Sequence, residues 1–160
     1  MNKKILTISI LSLAVTAAVF FMPQETQAQE SSSAKAGRLL SESGVSFSKV
    51  TNDVWIVPFK GKELGDFNVL IGAGKDVLVM FVTVTDKKKY TKAPELLAKL
   101  LTKTDDMDRV KIGLDKDGNV VVRIDLTMRL LDKREFSENL DQLGAASDEV
   151  FAVIKPYLTR

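Results

Sequence analysis

Asp108-Arg109-Val110-Lys111-Ile112-Gly113-Leu114, then Asp115-Lys116-Asp117-Gly118-Asn119, then Val120-Val121-Val122-Arg123-Ile124-Asp125-Leu126-Thr127-Met128-Arg129, is the stretch whose reading decides the fold. Val110, Ile112 and Leu114 alternate with Arg109, Lys111 and Gly113, the period-2 pattern of a strand with one apolar face. Beyond the turn, Val120, Val122, Ile124, Leu126 and Met128 alternate with Val121, Arg123, Asp125, Thr127 and Arg129 in the same way. Residues 115–119 are turn chemistry, and Gly118 can take the positive φ that a tight reversal needs. The pair is a hairpin with one apolar face, and the rest of the chain must cover that face.

Upstream, three further strands are expected. Residues 46–50 begin one, Asn52-Asp53 makes a turn or bulge, and residues 54–59 continue it. Pro58 lacks a ladder donor, so this strand belongs at a sheet edge or ends there. Residues 67–71 form the next strand, and residues 72–76 a short connection. Residues 77–84, Val-Leu-Val-Met-Phe-Val-Thr-Val, are apolar almost throughout. That pattern predicts a central strand covered on both faces, with Phe81 in the core. Residues 86–89 are a charged break.

Helices bracket these strands. Leu39 and Leu40 lie on one side of a short helix that Gly44 ends. Pro94 suits the first turn of a second helix, whose Leu96, Leu97, Leu100 and Leu101 share a face. Asp132 with Glu135 has capping-box spacing at the start of a third. There Phe136, Leu140, Leu143, Val150 and Ile154 recur at helical spacing, and Pro156 kinks or ends the helix. Gly144-Ala145-Ala146 fits close packing on the sheet or a helix–helix contact. The fold class is α+β, with a five-stranded antiparallel sheet and helices in the order α-β-β-β-α-β-β-α.

The N-terminus reads as an address. Lys3 and Lys4 precede an apolar run over residues 5–22, and Thr26-Gln27-Ala28 offers a small-residue cleavage site. Residues 1–28 are therefore a signal peptide, residues 29–36 a flexible segment that becomes helix near Ala34, and residues 37–160 the folded domain. The expected location is periplasmic or secreted. The alternative is a retained N-terminal membrane anchor, since about 18 apolar residues can span a bilayer. Lipoprotein anchoring is excluded because no cysteine follows the run, and stability must come from the core without disulfides.

The 160 residues suit one domain, and the net charge of +2 comes from 23 interspersed basic and 21 acidic residues. A nucleic-acid partner would favour a clustered basic footprint instead. The chain holds no histidine and no cysteine, which removes Ser-His-Asp triads, thiol nucleophiles and the common zinc sites together. Residues 115–119 lack the ligand spacing of a calcium loop, because Gly118 is fourth rather than sixth and Leu126 holds the twelfth position. Gly72-Ala73-Gly74-Lys75 joins strand to strand, without the helix N-terminus that a phosphate loop needs. No cofactor, metal site or catalytic residue is expected.

The remaining candidate is a surface. Arg109, Lys111, Arg123, Asp125 and Arg129 lie on the outward side of the hairpin, and the neighbouring strand adds either Val77, Val79 and Phe81 or Leu78, Met80 and Val82 to that side. An apolar stripe with a charged margin suits a docking surface or, equally, cover by the domain's own loops. Its candidate residues are Val79, Met80, Phe81, Arg109, Lys111, Arg123, Asp125 and Arg129. The function expected is non-enzymatic binding of a protein or peptide by a homodimer. The alternative is a small-ligand or lipid-binding domain with a pocket between sheet and helices.

The chain resembles the YbjN family, within the superfamily of type III secretion chaperone-like domains. The resemblance rests on the Leu-rich helix from Pro94 to Leu101, the strand from Val110 to Leu114 and the turn Asp115-Lys116-Asp117-Gly118. It continues through Arg123-Ile124-Asp125-Leu126 and the helix from Asp132 that carries Asp148-Glu149-Val150 before Ile154. It spans about residues 39–158. It implies an α+β domain with a five-stranded antiparallel sheet, frequent dimers, and the peptide or protein binding of secretion chaperones.

Overall fold

The computed structural model describes residues 30–159, so the signal segment at residues 1–28 lies outside the described residues. The chain runs α1 (Ser32–Ser43), β1 (Ser48–Lys49), β2 (Val54–Lys60), β3 (Asp66–Ala73), β4 (Val77–Thr85), α2 (Pro94–Asp105), β5 (Lys111–Leu114), β6 (Val120–Thr127) and α3 (Lys133–Ile154). A single 3₁₀ turn follows β4 and another follows α3.

All strands join one antiparallel sheet in the order β1-β2-β3-β4-β6-β5. The sheet has six strands, not the five expected. The difference arises at residues 51–53, where the chain reverses instead of bulging. The N–H groups of Val50 and Thr51 both donate to Val54 O (2.9 and 3.2 Å), which folds Ser48 back onto Ile56 as a separate two-residue strand. The order is therefore α-β-β-β-β-α-β-β-α. Because β1 reaches only Trp55 and Ile56, the flank of β2 at Pro58 stays bare, where proline breaks no ladder.

The helix ends follow local chemistry. Ser31 caps α1, its hydroxyl accepting from Ala34 N at 3.1 Å, so the helix begins at Ser32 rather than near Ala34. Gly44 ends it at φ 76°, in the left-handed region that glycine enters without penalty. Pro94 opens α2, and Asp132 accepts from Glu135 N at 2.8 Å to open α3. Pro156 falls in the 3₁₀ turn that closes α3.

The helices pack on one face of the sheet. Helix α3 lies across β4 and β6, while α1 reaches β3 and α2 reaches β5. Trp55, Val57, Val69, Ile71, Leu78, Met80, Val122 and Ile124 point into this layer and are buried with Phe136, Leu140 and Leu143 of α3. Gly144 lets α3 approach closely: a Cβ there would sit 2.7 Å from Phe59 Cε1, and that ring is already stacked on Phe67 at 5.8 Å. Gly144 thus serves contact with the sheet, Ala146 is buried as well, and Ala145 is exposed. Asp148, one turn further on, accepts N–H bonds from Leu64 (2.7 Å) and Glu63 (2.8 Å) and so ties the β2–β3 loop to the helix. Those backbone donors, led by Leu64, hold its carboxyl below the usual range against the opposing push of burial.

Strand β4 is central, as its composition implies, but among the described residues helices cover only one of its faces. Leu78, Met80 and Val82 are buried beneath them, whereas Val79 and Phe81 are half-buried and Val77 is 40% exposed. Phe81 is not a core residue. Its apolar neighbours on this side carry no second layer among the described residues.

Candidate open-face docking site

The open face is assembled by strand register. One row across the sheet reads Ile56, Leu70, Phe81, Arg123 and Lys111, each opposite the next on the adjoining strand. The neighbouring row reads Val54, Gly72, Val79 and Asp125. With Val77, the residues Val54, Ile56, Leu70, Val79 and Phe81 make a continuous apolar stripe over β2, β3 and β4. A Cβ at Gly72 would meet nothing within 4 Å, so a shallow dent lies between Val54 and Val79.

The margin is charged and ordered. Asp125 accepts from Lys111 Nζ at 2.8 Å and from Arg123 Nε at 2.5 Å. Partial burial pushes the Asp125 carboxyl up, but the bonds from Lys111 and Arg123 together outweigh it and hold the group below its ordinary range. Both cations are well exposed, so each pair contributes under about 1 kcal/mol to stability. What the triad supplies is fixed geometry: two donors and one carboxylate alongside an apolar stripe.

Of the residues expected at this surface, Val79, Phe81, Lys111, Arg123 and Asp125 do share the face. Met80 does not. It is fully buried on the helix side, opposite Ile124, because alternation sends it to the other face from Val79. Arg109 also lies elsewhere. Strand β5 begins only at Lys111, and Arg109 precedes it at φ 60° with its guanidinium 3.0 Å from Glu135 at the start of α3. Arg129 falls past the end of β6, where Met128 N donates to Asp76 O at 2.9 Å, and it lines a hollow beside Lys35 and Lys75. Val54, Ile56 and Leu70 were not expected there. Their membership follows from the β2–β3–β4 register, which their own strands do not display.

Among the described residues no group of three potential metal-ligating side chains comes together, and no helix is long and apolar enough to cross a membrane.

No protein-family model matches the chain, and no curated protein matches it by sequence. Among solved structures it is similar to YbjN from E. coli, at 18% identity and a TM-score of 0.58, over 78% of this chain and 93% of that one. It is also similar to a chain of the heterodimeric ExoU–SpcU complex from the type III secretion system of Pseudomonas aeruginosa, at 12% identity and a TM-score of 0.56, over 74% and 97%. The Yersinia pestis type III secretion chaperone SycH, in complex with a fragment of YscM2, matches at 15% identity and a TM-score of 0.48, over 76% and 98%. The chain thus shares its fold with YbjN and with a chain of the ExoU–SpcU complex.

Proposed function

We propose that this chain is a non-enzymatic, chaperone-like protein- or peptide-binding domain that acts after export, and that the open sheet face is its docking surface. The observation that carries this is the apolar stripe of Val54, Ile56, Leu70, Val77, Val79 and Phe81, which none of the helices covers. A soluble chain rarely leaves a patch of more than a few hundred Å² bare. In the purified protein the occupant is a second copy. A two-fold contact needs only one self-complementary patch, and the Arg123–Asp125 margin is self-complementary. With the axis across the strands, β6 meets β6 and each Arg123 faces the other copy's Asp125. The ExoU–SpcU complex lends support, since a similar fold there works in a heterodimer.

The test is mass in solution. Light scattering on the mature protein at micromolar concentration is expected to give twice the chain mass, and a monomer throughout that range would contradict the reading. Export carries its own measurement. Native material is expected to begin at or near Gln29, whereas an intact Met1 in the membrane fraction would make the domain an anchored one.

A further inference from the structure

Near its end the β4–β6 ladder slips: Thr83 pairs with Val121 and Thr85 with Val120, leaving Val84 as the extra residue. Alternation breaks there, so Val84 and Thr85 are both buried, at 5% and 6% exposure. A bulge re-aims a side chain, and this one buries Thr85. The other buried polar side chains among the described residues, Asn139 and Ser147, donate to the carbonyls of Glu135 and Leu143 within α3, although Asn139 Oδ1 itself accepts nothing. Thr85 has no such partner among the described residues. The residue lines a hollow instead.

That hollow is half open to solvent and has a volume of about 500 Å³. Leu64, Val84, Phe151 and Leu158 give it apolar walls, and Asp86 and Lys89 add charge. Both lips are held. Leu64 is fixed by Asp148, and the C-terminal segment by the Tyr90–Leu158 bridge and by Thr159 N donating to Lys89 O at 2.9 Å. The Asp86 carboxylate is committed to Lys88 N at 2.8 Å, while Lys89 forms no ion pair among the described residues.

We propose that this cavity binds a small amphipathic monocarboxylate. Its alkyl chain lies against Leu64, Val84, Phe151 and Leu158, and its carboxylate takes the Thr85 hydroxyl and the Lys89 ammonium. Lys89 supplies one positive charge, and the Asp86 carboxylate beside it opposes a dianion such as phosphate more than a monoanion. The site is separate from the open face and stands whether or not the chain dimerises.

The experiment is a titration of the isotope-labelled mature protein with octanoate, kept below micelle-forming concentration, with 1-octanol as the uncharged control. Saturable amide shifts are expected at Val84, Thr85, Phe151 and Leu158, with octanol about tenfold weaker. Lys89→Ala should remove that preference. Thr85→Val should weaken octanoate about tenfold while Thr85→Ser retains it, which separates a lost hydroxyl from a disturbed bulge. Val79→Glu should bind octanoate unchanged, so failure of the docking proposal would leave this one testable. Absence of shifts at the cavity, equal binding of octanol, or shifts confined to Val77, Val79 and Phe81 would overturn it.

Discussion

Met80→Glu is expected to unfold the domain. Met80 is fully buried in the middle of β4, opposite Ile71 on one side and Ile124 on the other, beneath the helices. A carboxylate there has no cation or N–H to accept from, and protonating it still leaves a buried acid without a partner. The loss of apolar packing adds to that. Together these cost about 5 kcal/mol or more, a sum that rivals the roughly 5–15 kcal/mol by which whole domains are stable. Near-UV circular dichroism and urea denaturation should show no cooperative native state at 25 °C. A midpoint close to wild type would mean that Met80 faces solvent and that the two faces of the sheet are assigned the wrong way round.

Truncating two phenylalanines should separate core from surface. Phe136 is the largest fully buried side chain, held by α3 against the sheet, and Phe136→Ala should cost about 3–5 kcal/mol through lost contacts and the cavity left behind. Phe81 is half-buried on the open face, so Phe81→Ala should cost only about 1 kcal/mol in the isolated chain. Urea midpoints of the two variants measure the contrast. Equal costs would place a covering layer over the open face.

Much of the fold was legible because local chemistry dictates it. Gly44, Pro94, the Asp132–Glu135 cap and Pro156 each mark a helix boundary through backbone constraints that need no tertiary context. The β5–β6 hairpin was legible from alternation and the turn at Gly118. The sixth strand was not, because Asn52 and Asp53 suit a bulge as well as a reversal. Only the bonds to Val54 O distinguish the two. The apolar run of β4 suggested two covered faces for a related reason: Val77, Val79 and Phe81 look alike whether a helix or a partner covers them. The choice between Val79 and Met80 needed register, since Val79 stands opposite Asp125 and Met80 opposite Ile124. Arg109 and Arg129 continued the alternation on paper, but the strands stop short of both. The bulge at Val84 and the burial of Thr85 left no trace in the sequence, because a one-residue slip is set by how two strands end against each other.

The docking role proposed for the open face turns on a residue that should matter for association and little for folding. Val79 lies at the centre of the apolar stripe, next to the dent at Gly72 and opposite Asp125. Val79→Glu leaves the helix-side core untouched and sets a carboxylate beside the existing one, where a two-fold contact would repeat the repulsion on both copies. Multi-angle light scattering of this variant, with circular dichroism on the same samples, is the most direct measurement. The expected result is a dimeric wild type and a folded monomeric variant at the same concentration; a folded dimeric variant would remove the open face from the interface.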